Sequence, residues 1–354
     1  MMYHVNLPLT ILETNSPPKA PSDAMQRDKL FDSHGRQIHD LRLSVTDRCN
    51  FRCVYCMEPD VKYIPKMQLL ALDEYVRIVK IAMSLGIQKL RITGGEPTLY
   101  PHLDELLEQV GQLGLKDIAL TTNGSLVKEQ CAQGWKQFGL NRVTVSLDTL
   151  QPQRKDAITR SNTSLQTVIQ SIDSLRDAGL TPVKVNAVIM RGVNDDEVID
   201  FADFAKEHEI DMRMIEFMPL DAGKRWKKRH VVSAEEMLKA IKTKHDVIRE
   251  EDSKTSTSMN YRFKEGNGRI GFIASVTQSF CGACDRMRMM ADGTLRPCLF
   301  SDKEWGIRPL LRNGSSDDAL RQFFIDAMWQ KSAGHGMGRD DFKRPETSMS
   351  RIGG

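Results

Sequence analysis

The sequence predicts an α/β protein: a partial (β/α)6 barrel followed by a small β-rich C-terminal domain. Three observations carry this expectation. From residue 40 onward, six short apolar runs alternate with amphipathic helical stretches, the pattern of parallel strands with helices outside. Polar residues gather at one end of those runs. Near residue 250 the pattern changes to hairpins. The number and spacing of units suit a partial barrel better than a closed one of eight. A doubly wound sheet is the alternative that the alternation leaves open.

The strands are expected at residues 41–45, 89–93, 118–122, 142–147, 183–190 and 212–217. Between and after them, helices are expected at 72–85, 103–113, 126–138, 165–178, 195–208 and 233–241. Ser233 and Glu236 form a capping-box signal at the last of these. Gly86, Gly139 and Gly179 stand where three helices should end. The polar stretch 250–258 reads as a linker. A hairpin follows around Gly266-Asn267-Gly268. A second should run from Met287 to Phe300 and turn at Asp292-Gly293, which brings Cys298 opposite residues near 287. The expected division is a disordered extension over 1–29, rich in Pro, Ser and charge toward its end; a core over 30–250; a C-terminal domain over 251–333; and a tail over 334–354.

Charge is nearly balanced, at +3 over 354 residues, with 27% charged and 40% hydrophobic residues. That composition is ordinary for a globular protein and demands no nucleic-acid partner. No apolar run is long enough to span a membrane, and residues 1–12 lack the features of a signal peptide. Seven cysteines without such a signal read as metal or cluster ligands in a reducing compartment, expected to be cytoplasmic. Cys131, in a helical pattern, reads as a small buried hydrophobe.

Active sites of parallel βα folds lie at the carboxyl ends of the strands. Thr46 and Asp47, Gly94-Gly95-Glu96-Pro97, Thr121-Thr122-Asn123, Ser146 with Asp148, and Glu216 with Met218 all fall there. Five such places predict one shared pocket. The first is followed by Cys49, Cys53 and Cys56, spaced C-x3-C-x2-C. Three thiolates hold three irons of a four-iron cluster and leave the fourth iron open. Structural zinc is the alternative, but it takes four ligands in a closed site. His34 and His39 fit no common zinc spacing. Cys281, Cys284 and Cys298 form a second incomplete set, again with zinc as the alternative. Arg286 and Arg288 alternate on the expected hairpin strand, so both face one side, and guanidinium forks suit phosphate oxygens. Lys184 lies inside an apolar strand, where an unpaired ammonium is expensive. An anionic ligand and a salt bridge to Glu216 explain it equally well. The basic run from Lys224 to Arg229 reads as a solvated loop and receives no role.

The cysteine motif, Tyr55 just before its third cysteine, and Gly94-Gly95-Glu96-Pro97 after the next strand together resemble the radical S-adenosylmethionine (SAM) superfamily. The run from Cys281 to Arg288 with Cys298, the run from Asp40 to Cys49, the run from Arg91 to Pro97 and the terminal Gly353-Gly354 are similar to the GTP 3′,8-cyclase family of molybdenum cofactor biosynthesis. The resemblance implies a radical SAM core and two [4Fe-4S] clusters, with SAM chelating the open iron of the first. It implies SAM contacts from Tyr55, Gly95, Ser146 and Met218. GTP contacts would come from Arg42, Arg91, Thr121, Lys184, Arg286, Met287 and Arg288, with the second cluster's open iron facing guanine. Arg42, Arg286, Arg288, Gly353 and Gly354 would take part in catalysis. The implied reaction converts GTP to (8S)-3′,8-cyclo-7,8-dihydroguanosine 5′-triphosphate. A low-potential flavodoxin or ferredoxin would supply electrons, and a pterin synthase would take the product. Homodimers occur in related proteins, although no sequence feature here fixes an interface. The rivals are a peptide-modifying radical SAM enzyme with an auxiliary cluster and a non-enzymatic metal-binding regulator. One departure is Thr98-Leu99-Tyr100, where relatives more often carry a leucine pair followed by arginine.

Overall fold

The computed structural model describes residues 16–22, 24, 28–221, 223–337, 342–347 and 349–353. Most of the expected N-terminal extension, and Gly354, lie outside them. Six parallel strands follow one another in the order of the chain: β1 (Asp40–Ser44), β2 (Lys89–Thr93), β3 (Asp117–Thr122), β4 (Arg142–Ser146), β5 (Lys184–Ile189) and β6 (Asp211–Glu216). The order never reverses, so there is no switch point of the doubly wound kind. The helices between the strands are α1 (Leu72–Ser84), α2 (Leu103–Gly111), α3 (Glu129–Gln137), α4 (Pro152–Thr159), α5 (Leu165–Asp177) and α6 (Val198–Glu207), with α7 (Ala234–Ile241) after β6.

The C-terminal strands extend this sheet at both edges. On one side, β9 (Arg269–Ile273) lies parallel to β6, and β8 (Met259–Phe263) and β7 (Val247–Arg249) continue antiparallel. On the other, β10 (Arg286–Met289) lies parallel to β1, followed by β11 (Thr294–Arg296) and β12 (Trp305–Gly306). The β10–β11 hairpin turns at Asp292-Gly293, as expected, and pairs Arg288 with Arg296. After it come α8 (Arg308–Arg312), α9 (Asp317–Trp329) and the short α10 (Met349–Ile352).

Side-chain alternation, with its period of two, explains what the sheet encloses. Leu41 and Leu43, Leu90 and Ile92, Val143 and Val145, Val185 and Ala187, and Met212 and Met214 join the buried core. Burying each large side chain is worth about 1.5–3 kcal/mol. The alternate positions carry Arg42, Arg91, Thr144, Lys184 and Arg213, all of which line the opposite, concave side. The fold therefore has an apolar outer layer and a polar interior.

Local expectations hold in several places and shift in others. At α7, the Ser233 amide donates to Glu236 (2.9 Å) and the Glu236 amide to Ser233 Oγ (3.2 Å). Gly86, Gly139 and Gly179 have positive φ at the ends of their helices. α3 begins later than expected, because Asn123 Oδ1 accepts from the Ser125 amide (2.9 Å) and holds 123–125 as a turn. Within the extension expected to be disordered, Ala24 is buried and the Ala20 amide donates to Asp326 on α9 at 2.7 Å. This part of the extension is laid on α9, because the Asp326 carboxylate satisfies its backbone. Cys131 is partly buried against the core, as a small hydrophobe would be.

Candidate functional site

A cavity of about 800 Å³ opens on the concave side of the sheet. Cys49, Cys53 and Cys56 line it, and so do Cys281, Cys284 and Cys298. All seven cysteines are free thiols. The two sets come from segments more than 200 residues apart in sequence. The β1–β10 pairing, which aligns Arg42 with Arg288, brings them together.

The first set sits in the loop after β1. Two backbone bonds tie this loop to α4: the Arg52 amide to Thr159 O (2.8 Å) and the Val54 amide to Ile158 O (2.9 Å). Its other flank rests on the end of β2. The Gly95 amide donates to Thr46 O and the Glu96 amide to Arg48 O, each at 2.7 Å. A Cβ on Gly95 would lie 2.3 Å from Arg48 O, so the cysteine loop itself demands glycine there. Glu96, 1% exposed, accepts from Thr98 Oγ1 (2.6 Å), Thr122 Oγ1 (2.7 Å) and the Asn123 amide (2.7 Å). Burial pushes its carboxyl up, and those bonds pull it back in part. Thr98 thus belongs to the Glu96 network, while Tyr100 turns away to stack edge-on against Tyr75 at 5.8 Å. Tyr55 donates to Asp148 at 2.7 Å, and Asp148 also accepts from the Val188 amide at 2.8 Å. Burial lifts Asp148 to about 6.

Burial also pushes the Cys49 thiol up to about 11, and Cys53 and Cys56 higher still. A coordinated metal reverses that preference, because a coordinating thiol is deprotonated outright. The second set behaves differently. Burial would raise Cys284, but the charges of Arg286 and Lys331 bring it down to about 6. Hydrogen bonds from His335 and Ser279 outweigh burial at Cys281 and bring it to about 7. Lys331, buried, donates to Arg286 O and Pro297 O (2.5 and 2.6 Å) and so ties the segment after Cys284 to the one before Cys298. Among the described residues, no three His, Cys, Asp or Glu side chains are arranged to hold one metal ion. Neither His34 nor His39 lines the cavity.

The same cavity holds a basin of cations, among them Arg42, Arg91, Arg142, Lys184, Arg213, Arg286 and Arg288. Arg91 reaches Thr121 and Thr144, each at 3.2 Å. The Nε atoms of Arg42, Arg91 and Arg213 are buried without a partner. Burial and neighbouring guanidinium groups press Arg91 down to about 9. Burial is likewise the main cause at Arg213, lowered to about 10, and at Lys184, lowered to about 8. Arg42 and Arg288 shift downward for the same reason. Leaving a buried polar group unpaired costs about 1–3 kcal/mol, so these donors are unfavourable in the fold by themselves.

The expected site residues largely converge here. Arg42, Tyr55, Arg91, Gly95, Thr121, Ser146, Lys184, Met218, Arg286 and Arg288 line the cavity. Two readings are corrected. Met287 is fully buried in the core, because strand alternation turns it away from its arginine neighbours. Lys184 pairs with Asp211 at 3.6 Å, not with Glu216. Glu216 instead accepts from the Ala234, Val276 and Thr277 amides. Gly353 reaches the basin, where its carbonyl accepts from Arg288 at 2.9 Å; Gly354 lies outside the described residues. Sequence reasoning missed Arg213 and Lys331. Arg213 carried the same signal as Lys184, a cation inside an apolar strand; Lys331 carried none.

Comparison with known proteins fits this geometry. The Radical SAM superfamily model matches residues 43–205, and the Molybdenum Cofactor Synthesis C model matches residues 210–337. A GTP 3′,8-cyclase of Streptomyces coelicolor is 43% identical over 330 residues, covering 92% of this chain and 96% of that protein. The mitochondrial GTP 3′,8-cyclase of Arabidopsis thaliana is 41% identical, covering 92% of this chain and 84% of that one. The crystal structure of Streptococcus suis SuiB bound to precursor peptide SuiA shares the fold. Its TM-score is 0.61 at 17% identity, over 87% of this chain and 68% of that one.

Proposed function

Because the chain belongs to the GTP 3′,8-cyclase family of the radical SAM superfamily, we propose that it cyclises GTP to (8S)-3′,8-cyclo-7,8-dihydroguanosine 5′-triphosphate, the first step of molybdenum cofactor biosynthesis. One observation carries the reading: both cysteine sets line a single cavity, together with Arg42, Arg91, Lys184, Arg213, Arg286 and Arg288.

In this reading Cys49, Cys53 and Cys56 hold a [4Fe-4S] cluster, and Tyr55, Gly95, Ser146 and Met218 surround SAM. Bound there, the cluster and SAM would supply the radical chemistry that takes the hydrogen from C3′ of GTP, and joining C3′ to C8 of guanine would be completed by one further electron and one proton. The chain supplies placement and shielding from water. Arg42, Arg286 and Arg288, with Arg91, Lys184 and Arg213, hold the triphosphate, and the unpaired Nε donors of Arg42, Arg91 and Arg213 support this. Thr121 steers Arg91. Cys281, Cys284 and Cys298 would hold a second [4Fe-4S] cluster, which would bind the guanine end of GTP. The low thiol values at Cys281 and Cys284 favour ligation there. Gly353 and Gly354 take part in catalysis on this reading, and the Arg288 bond to the Gly353 carbonyl supports that role for Gly353. Met287 contributes packing rather than a side-chain contact. In this division of labour residues 30–250 carry the SAM chemistry, 251–333 the second cluster, and 334–354 the diglycine tail. The electron source is a flavodoxin- or ferredoxin-type protein, and a pterin synthase takes the product. A reducing cytoplasm suits seven free cysteines. No helix among the described residues is long and apolar enough to cross a membrane.

The test is anaerobic reconstitution with iron and sulfide, then incubation with dithionite, SAM and GTP. Formation of 5′-deoxyadenosine that requires GTP, together with the cyclised nucleotide, is expected. SAM cleavage indifferent to GTP would overturn the reading.

A further inference from the structure

The basic run from Lys224 to Arg229 has no part in the reaction above. None of its residues lines the cavity. Lys224, Arg225, Lys227, Lys228 and Arg229 are exposed. Among the described residues, none of the five has an ion-pair partner. Exposed cations in loops are common, but a loop this charged and this firmly held is a different case. The Asp221 carboxylate accepts from the Arg225 and Trp226 amides. Trp226 Nε1 donates to Phe217 O at 2.6 Å, and the Arg344 guanidinium lies over the Trp226 ring at 5.4 Å. The backbone and its one aromatic ring are fixed, while the five charges project into solvent.

The position of the loop matters as much as its charge. It follows β6 and so emerges at the same end of the sheet as the cysteine loop after β1. A Cβ on Gly223 would meet Glu58 Oε1 at 3.0 Å, and Glu58 is two residues beyond Cys56. The basic loop therefore borders the outer edge of the first cysteine loop. The basic loop carries five cations, and the segment just after Cys56 carries two acidic groups, Glu58 and Asp60, so the net charge of the two segments is positive. Electrons must enter the protein at that cysteine loop.

We propose that the loop from Lys224 to Arg229 is the docking surface for an acidic electron-transfer protein that reduces the centre held by Cys49, Cys53 and Cys56. This deepens the functional reading and rests on it. Charges on the rim of an interface act mainly on the rate of encounter, and screening by salt weakens them.

The test compares two reductants on the reconstituted full-length enzyme. Dithionite is small and needs no docking; a reduced acidic flavodoxin does. The variant carries Lys224→Glu, Arg225→Glu, Lys227→Glu and Lys228→Glu, with Trp226 kept. With dithionite, its GTP-dependent 5′-deoxyadenosine formation should match wild type. With limiting flavodoxin, it should fall about tenfold or more. The wild-type flavodoxin rate should drop as salt rises, and that of the variant should not. A milder variant, Lys227→Gln with Lys228→Gln, should fall between the two. Equal flavodoxin rates in wild type and variant would overturn the proposal. So would an equal loss with both reductants, which would place the loop in the catalytic fold. Absence of GTP-dependent cleavage in the wild type with dithionite would instead defeat the functional reading itself, and this inference with it.

Discussion

Substituting Gly353 by alanine tests whether the tail acts inside the cavity. Gly353 has φ +73°, a left-handed conformation that costs an L-residue about 1–2 kcal/mol. A Cβ there would also sit 2.4 Å from Ser44 Oγ and 2.8 Å from Thr93 Cγ2, both on strands that cannot easily move. Overpacking of this kind costs about 1–3 kcal/mol. The two together oppose the seated tail by about 2–5 kcal/mol. Its bond from Arg288 returns about 1.5–3 kcal/mol, as hydrogen bonds to charged groups do. At about 1.4 kcal/mol per factor of ten, the ratio of seated to unseated tail should fall between about 30-fold and several thousand-fold. The assay is single-turnover conversion of GTP, read as cyclised product by mass spectrometry. Melting temperature should change less than activity, because Ile352 of the tail is buried but stands outside the main hydrophobic cluster. Ser44→Gly should restore part of the loss in the double variant, since it removes one clash but leaves the φ penalty. Wild-type cyclisation by Gly353→Ala would refute the reasoning.

Three further outcomes are expected. Cys281→Ala should lower reconstituted iron content by about half and abolish cyclisation, while the visible absorption of the first cluster persists; retained cyclisation would remove the second cluster from the mechanism. Arg213→Met should raise the KM for GTP by about 10- to 100-fold, from the loss of one charge-assisted contact, with SAM affinity unchanged by equilibrium dialysis. Asp148 sets a pH dependence. Burial holds its folded value near 6, above the ordinary 3.9. The group stabilises the fold fully below the unfolded value, and that contribution is lost as pH rises through about 6, a change of about 3 kcal/mol. Asp148→Asn should not show this loss, so in thermal melts its advantage over wild type should grow between pH 4 and pH 7; a constant difference would contradict the assignment.

What could be read in the sequence was local. The six βα units, the Ser233 cap, the glycine stops and the Asp292-Gly293 turn each arise from chemistry within a few residues, and each left a pattern. The cysteine spacings were equally visible. The β1–β10 and β6–β9 pairings were not, because a parallel partner more than 50 residues away leaves no periodic mark. The C-terminal segment therefore reads as a separate domain, although its strands complete both edges of one sheet. α4 was missed because its apolar residues form no stripe, yet its carbonyls anchor the first cysteine loop. The Glu216 alternative for Lys184 failed for a similar reason. Glu216 is drawn to the amides at 234, 276 and 277, which come near it only after β9 has joined β6.

That late pairing has a consequence for recognition. The cations of the basin are unfavourable in the fold alone: they are buried, close to one another, and three have Nε atoms without partners. Departures from local rules gather where a ligand relieves them. Asp40 and Asp211 relieve part of the repulsion, since both raise the values of nearby cations. On the proposed reading, the triphosphate relieves the rest. Arg42 stands on β1 and Arg286 and Arg288 on β10, aligned by a pairing that spans almost 250 residues. These three arginines therefore share one cavity only once the C-terminal strands have docked. The same docking brings Cys281, Cys284 and Cys298 into the cavity. The strand pairing that assembles the anion site also sets the distance between the two cysteine sets, so neither can form without fixing the other.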